Sequence, residues 1–150
     1  MALRNSSSLS TSSAHARILL VDDNVSGSTA RKTVLEELGH RINVASSGAD
    51  ALEQFSQHTY DLVVTDYKMP RMDGMELIVR LRKQAPGILI VMVSGFVDAL
   101  GLNEASTGAD AVIQKSANEV THLVRAVNRL LRRKKPATGT GGPKAKRQAS

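Results

Sequence analysis

An α/β fold, a doubly wound parallel sheet of five strands with helices on both faces, is predicted by two observations in this 150-residue chain. Five short apolar runs alternate with stretches whose apolar residues recur at helical spacing. Alternation of that kind calls for parallel strands joined by crossover helices, which then cover both sheet faces. Four of the runs also stop at a polar side chain: Asp22-Asp23, Asp66, Ser94 and Lys115. If all five strands run parallel, these groups gather at one edge, where open α/β sheets bind their ligands.

The first strand is RILLV, Arg17 to Val21, closed by Asp22 and Asp23. Asn24 can cap the following helix, in which Ala30, Val34 and Leu38 fall at i, i+4, i+8 and which Gly39 closes. Arg41 to Ala45 alternates, with Ile42 and Val44 on one face, as suits an outer strand. Ser47 opens a second helix through Gln57 that buries Ala51, Leu52 and Phe55. Leu62, Val63 and Val64 run through Thr65 into Asp66, and Pro70 stops the run; a short apolar run so closed reads as a buried parallel strand.

Asp73 caps the next helix, with Gly74, Leu77, Ile78 and Leu81 along its inner stripe. Pro86-Gly87 marks a turn before ILIVMV, which ends at Ser94. Phe96 to Ser106 is the weakest helix of the set, since Gly101 costs it about 1 kcal/mol relative to alanine and Thr107-Gly108 stops it. Asp110 to Lys115 supplies the last strand. Ser116 and Glu119 have capping-box spacing, opening a helix striped by Val120, Leu123, Val124, Val127, Leu130 and Leu131. Met69, Met72, Met75 and Met92 read as packing residues.

The net charge of +6 suggests nucleic acid until it is mapped. Residues 132–150 hold Arg132, Arg133, Lys134, Lys135, Lys144, Lys146 and Arg147 with no acid, so thirteen of the 20 bases face 14 acids in the rest. The body is near neutral and the tail is basic. Without aromatics for stacking, that tail is limited to sequence-blind electrostatic contact, and a solvated extension is the simpler reading. The expected organisation is a Ser-rich disordered tail over 1–15, one domain over 16–133 and a basic disordered tail over 134–150. No cysteine excludes disulfides and thiolate metal sites, and no apolar run spans a bilayer; a soluble cytoplasmic protein is expected.

Three carboxylates at one edge repel one another, and a hard divalent cation with oxygen ligands is the usual remedy. Magnesium suits, taking one or two carboxylates and leaving a position for a phosphate oxygen. An ammonium and a hydroxyl nearby would hold further phosphoryl oxygens, so the site looks built for phosphoryl transfer to a carboxylate.

These residues resemble the receiver domains of two-component response regulators, the CheY-like (flavodoxin-like) fold, in LLVDDN, VVTDYKMPRMDG, VMVSG and VIQKS from about Arg17 to Leu131. Here the strand order comes with the resemblance, since that family is the standing example of this doubly wound arrangement. The resemblance implies Asp66 as phosphoacceptor, Asp22 and Asp23 as magnesium ligands together with Asp66, and the backbone carbonyl of Lys68 as a further ligand. Ser94 would bind a phosphoryl oxygen, and Lys115 would pair with Asp66 and then with the phosphate.

It also implies a histidine kinase or phosphotransfer protein as donor and a downstream protein as target, reached near the fourth and fifth helices. The chain would catalyse only its own phosphorylation and dephosphorylation, without substrate turnover. Two positions depart from the family pattern: Val112 stands where an aromatic switch is common and Ser116 where proline commonly follows the lysine. A valine cannot act as a large rotameric switch, so output must use the loop after Ser94 or backbone shifts. Bulky Phe96 and long Lys68 are expected to slow hydrolysis of the phosphorylated state.

Other classes fit less well. A haloacid-type phosphatase wants a second Asp where Lys68 stands, and a dinucleotide site wants glycines where Asp22-Asp23 would repel a pyrophosphate. The stronger rival is a degenerate receiver that only binds partners, since fold alone does not establish function.

Overall fold

The computed structural model describes residues 15–140, with side chains described as far as Arg133. Five parallel strands, β1 (Arg17–Val21), β2 (Arg41–Ala45), β3 (Leu62–Asp66), β4 (Leu89–Ser94) and β5 (Ala111–Gln114), form one sheet in the order β2-β1-β3-β4-β5. The helices are α1 (Val25–Glu37), α2 (Gly48–Gln57), α3 (Gly74–Gln84), α4 (Val97–Leu100), α5 (Glu104–Thr107) and α6 (Glu119–Thr140). The doubly wound parallel sheet expected from the alternation is what forms, with β2 as an outer strand.

Strand parity divides the core into two. Ile18, Leu20, Val64, Val91 and Ile113 point to one face, where Leu35 of α1 and Leu123, Val127 and Leu130 of α6 cover them. Leu19, Val21, Val63, Ile90 and Met92 point to the other, under Ala51 of α2 and Leu77, Ile78 and Leu81 of α3. Successive strand residues face opposite layers, and a strand buried on both sides must be apolar throughout, which is why β3 and β4 read as continuous runs.

Three caps form as the sequence suggests. Asn24 accepts from the Gly27 N–H, Ser47 from Asp50 N–H and Asp73 from Glu76 N–H. Three local expectations are corrected. In α1 the buried face is Ser28, Arg31 and Leu35, while Ala30 and Leu38 are exposed and Val34 only half-buried. The helix expected over 96–106 is instead two single turns, because Gly101 takes a left-handed conformation (φ 63°) that ends α4.

The Ser116–Glu119 capping box does not form either. Ser116 Oγ accepts from Asn118 N–H, and the Glu119 carboxylate binds Arg31. The expected boundary between residues 133 and 134 falls inside α6, whose backbone runs to Thr140; the tail expected over 1–15 lies outside the described residues but for His15, as does the basic tail beyond 140.

His40, at the foot of β2, is 7% exposed and accepts the Ala16 N–H on Nδ1 at 3.0 Å. Burial, then repulsion by His15, holds its pKa below the ordinary 6.5, against a smaller opposing pull from Asp61. The unfolded chain therefore takes up a proton near pH 6.5 that the fold refuses. Stability is complete above that pH and is lost as pH falls from 6.5 towards the folded value. The denaturant midpoint should drop between about pH 7 and pH 5.5 in the wild type and less in His40→Asn, whose amide oxygen can still accept from Ala16. Equal drops in the two proteins would refute this.

Candidate functional site at the carboxyl edge of the sheet

Register brings the polar strand ends together in steps. Val21 pairs with Thr65, so Asp22 and Asp66 follow at the same level; Asp66 pairs with Val93, which puts Ser94 one residue higher; Ser94 pairs with Gln114, which puts Lys115 next. Asp22, Asp23 and Asp66 each offer an oxygen within 4.8 Å of the others'. Asp22 and Asp66 are 2% and 6% exposed, and Asp23 is open to solvent.

Each buried carboxylate is held at both oxygens. Asp66 Oδ1 accepts from Tyr67 N–H at 2.7 Å and Oδ2 lies 2.8 Å from the Lys115 ammonium. Asp22 Oδ1 accepts from Asn24 N–H at 2.8 Å and Oδ2 binds Arg31 Nη1 at 2.5 Å. An ammonium beside one aspartate and a guanidinium beside another offset the mutual repulsion that three close carboxylates would otherwise impose.

Ser94 is fully buried; its hydroxyl accepts from Phe96 N–H at 3.0 Å, and its carbonyl accepts from Lys115 N–H at 2.9 Å. The β4 and β5 ends are thus tied to each other at the site. Lys68, two residues past Asp66, is exposed, with its ammonium 5.6 Å from the centre of the Phe96 ring. Phe96 also meets Tyr67 edge to face, with ring centres 6.3 Å apart. These three side chains meet where the segments that follow Asp66 and Ser94 approach each other.

The loop that follows β3 is pinned by Gly74, whose N–H donates to Tyr67 O at 2.7 Å. Arg71, at φ 70°, makes the preceding turn in a left-handed conformation that glycine or asparagine normally takes.

Of the residues singled out from sequence, Asp22, Asp23, Asp66 and Lys115 converge, Ser94 sits on the adjoining strand end, and Lys68 stands at the rim through its side chain. The donor set is all oxygen, partly buried and open on the Asp23 side, which fits a hard divalent cation better than a soft one. Arg31 is the residue that sequence reading missed. Its only signal was spacing, three residues after Ser28 and four before Leu35 on the inward face.

Comparison with known proteins places the fold in a family. The family profile described as "Response regulator receiver domain" matches residues 18–128. The response regulator receiver protein CpdR of Brucella abortus is 30% identical over 116 residues, covering 77% of this chain and 96% of CpdR. A gliding motility regulatory protein of Myxococcus xanthus is 32% identical over 118 residues, covering 76% of this chain but only 15% of that protein's length.

Among solved structures, a response regulator receiver domain protein from Clostridium thermocellum superposes with a TM-score of 0.71 at 30% identity, covering 80% of this chain and 97% of that one. The response regulator TrrA of Thermotoga maritima, solved in complex with Mg2+-BeF, gives 0.69 at 32% identity, covering 76% and 97%.

Proposed function

Because the chain belongs to the response regulator receiver family of two-component signalling, we propose that Asp66 accepts a phosphoryl group from a histidine kinase or phosphotransfer protein in a magnesium-dependent reaction, and that the phosphorylated protein signals by contact with a downstream protein. The observation that carries this is the Lys115 ammonium at 2.8 Å from Asp66 Oδ2, inside a pocket that also holds Asp22 and Asp23.

In the reaction, an Asp66 carboxylate oxygen attacks phosphorus, the bond from phosphorus to the donor nitrogen or oxygen breaks, and the leaving group departs with the electron pair. Asp22, Asp23, Asp66 and the Lys68 carbonyl would hold the metal, which when bound supplies positive charge to the phosphoryl oxygens. Lys115 exchanges its bond to the Asp66 carboxylate for one to a phosphoryl oxygen. Ser94, whose oxygen already accepts from Phe96, retains its own proton to donate. The loop it begins is therefore the first to feel the new group. Val112 is half-buried among the residues that pack on the second core layer and has no aromatic ring to swing.

The test is direct. Wild-type protein incubated with a small phosphodonor and magnesium should gain the mass of one phosphoryl group, and hydroxylamine should remove it as expected of an acyl phosphate. No mass gain, or a gain independent of magnesium, would overturn the proposal and favour a receiver that only binds partners. A second measurement concerns the rim of the site. Replacing Lys68 and Phe96 together by alanine should speed loss of the phosphoryl group about tenfold, a barrier change of about 1.4 kcal/mol. An unchanged rate would remove the water-excluding role from both.

A further inference from the structure

Helix α1 buries a guanidinium beside the apolar Leu35 on its inward face. Arg31 is 4% exposed, with Nη1 at 2.5 Å from Asp22 Oδ2 and Nε at 2.5 Å from Glu119 Oε2. A Cβ on Gly27 would crowd Asp22 Oδ2 at 3.2 Å and stand in ordinary contact, at 3.4 Å, with Arg31 Nη1. Burial pulls the Arg31 pKa down, but the bonds to Glu119 and Asp22 more than offset that, and the net shift is upward. The side chain is a permanent charge, and a buried one persists only with partners such as these.

We propose that Arg31 is a resident counter-cation of the acidic pocket, lowering its affinity for a divalent cation and linking occupancy of Asp22 to the first turn of α6 through Glu119. The inference deepens the function proposed above and rests on it. Asp22, Asp23 and Asp66 contribute three negative charges, and Lys115 and Arg31 contribute two positive ones. A carboxylate has about four acceptor positions, so Asp22 keeps room for a metal after serving Asn24 and Arg31; the contest is one of charge.

A cation that draws on Asp22 leaves the guanidinium leaning on Glu119, the only other carboxylate it bonds among the described residues. The two equilibria are then reciprocal: what strengthens Arg31–Asp22 weakens the metal, and the converse. Arg31 is in this sense a positioning residue, acting on the metal through Asp22.

Calorimetric titration of magnesium chloride into the full-length unphosphorylated chain tests this. In Arg31→Met the dissociation constant should fall about tenfold, since a full charge beside a ligand oxygen is gone. In Glu119→Gln it should rise about threefold, because the guanidinium is left to Asp22 alone. Arg31→Lys, which keeps the charge, should stay near wild type. A merely structural arginine would not give opposite signs in the two variants.

An Arg31→Met affinity equal to or below that of the wild type overturns the proposal. Should Arg31→Met fail to fold by circular dichroism, Glu119→Gln decides, and an unchanged or tighter constant overturns it. Magnesium uptake of equal strength in wild type and Arg31→Met sinks this inference alone. No uptake by either sinks the metal reading beneath it.

Discussion

Asp66→Ala is expected to fold as well as the wild type and to gain no phosphoryl mass from any donor. Its side chain is buried, and removing half of a buried ion pair is ordinarily damaging because the other charge is left dry. Here the other half is the Lys115 ammonium, whose side chain is one-third exposed and can return to water. The change also takes one of three crowded negative charges out of the pocket, which removes the repulsion of Asp66 against Asp22 and Asp23. Stability should therefore change by no more than about 1 kcal/mol, in either direction. Phosphoryl transfer should vanish, since the Lys115 ammonium bonds Asp66, whereas Asp22 is engaged by the Arg31 guanidinium and Asp23 is open to solvent. Intact-mass measurement beside a denaturant melt checks both halves; a phosphorylated Asp66→Ala protein would move the acceptor elsewhere.

Gly74→Ala should be the most damaging single substitution at the rim. A Cβ built there would sit on the Asp66 carbonyl oxygen and 3.0 Å from Tyr67 Cα, and neither backbone atom can swing aside. Gly74 also donates its N–H to Tyr67 O, so the loop cannot move away without losing a 2.7 Å hydrogen bond. Alanine would gain helix propensity worth up to about 1 kcal/mol relative to glycine. Overpacking against backbone should exceed that, leaving a net loss of about 2–3 kcal/mol. The denaturant midpoint should fall accordingly, and phosphorylation should slow because the displaced segment carries Asp66. A midpoint within error of the wild type would show that the α3 start is far more pliable than its packing suggests.

The strands and the convergent site were legible because their signals are local. β1, β3 and β4 announce themselves by uninterrupted apolar runs, and the polar residues that end them are next in the chain. Parallel pairing then does the rest, placing Asp22, Asp66, Ser94 and Lys115 at one edge. Arg31 was illegible for the complementary reason. A pattern of apolar recurrence counts a charged residue as outward-facing, and so α1 was rotated towards Ala30 and Leu38.

What reverses that rotation is the Asp22 carboxylate nine residues before and Glu119, 88 residues later. The failed capping box is the same event seen from the other end. Ser116 and Glu119 have the right spacing, but the carboxylate finds a buried guanidinium and leaves the helix start to Asn118 and the Ser116 hydroxyl.

The pair of single-turn helices after Ser94 has a consequence for where the molecule yields. α4 and α5 are four residues each, and the left-handed glycines Gly101 and Gly108 close them. Turns this short hold almost no internal ladder, and α4 buries none of its side chains, so their amides should trade hydrogen for deuterium well before those of β3 or β4. These two short turns are thus joined directly to the serine beside the acidic pocket. A small displacement at that hydroxyl can melt or re-form a turn, where the same push against β3 would have to deform a packed sheet.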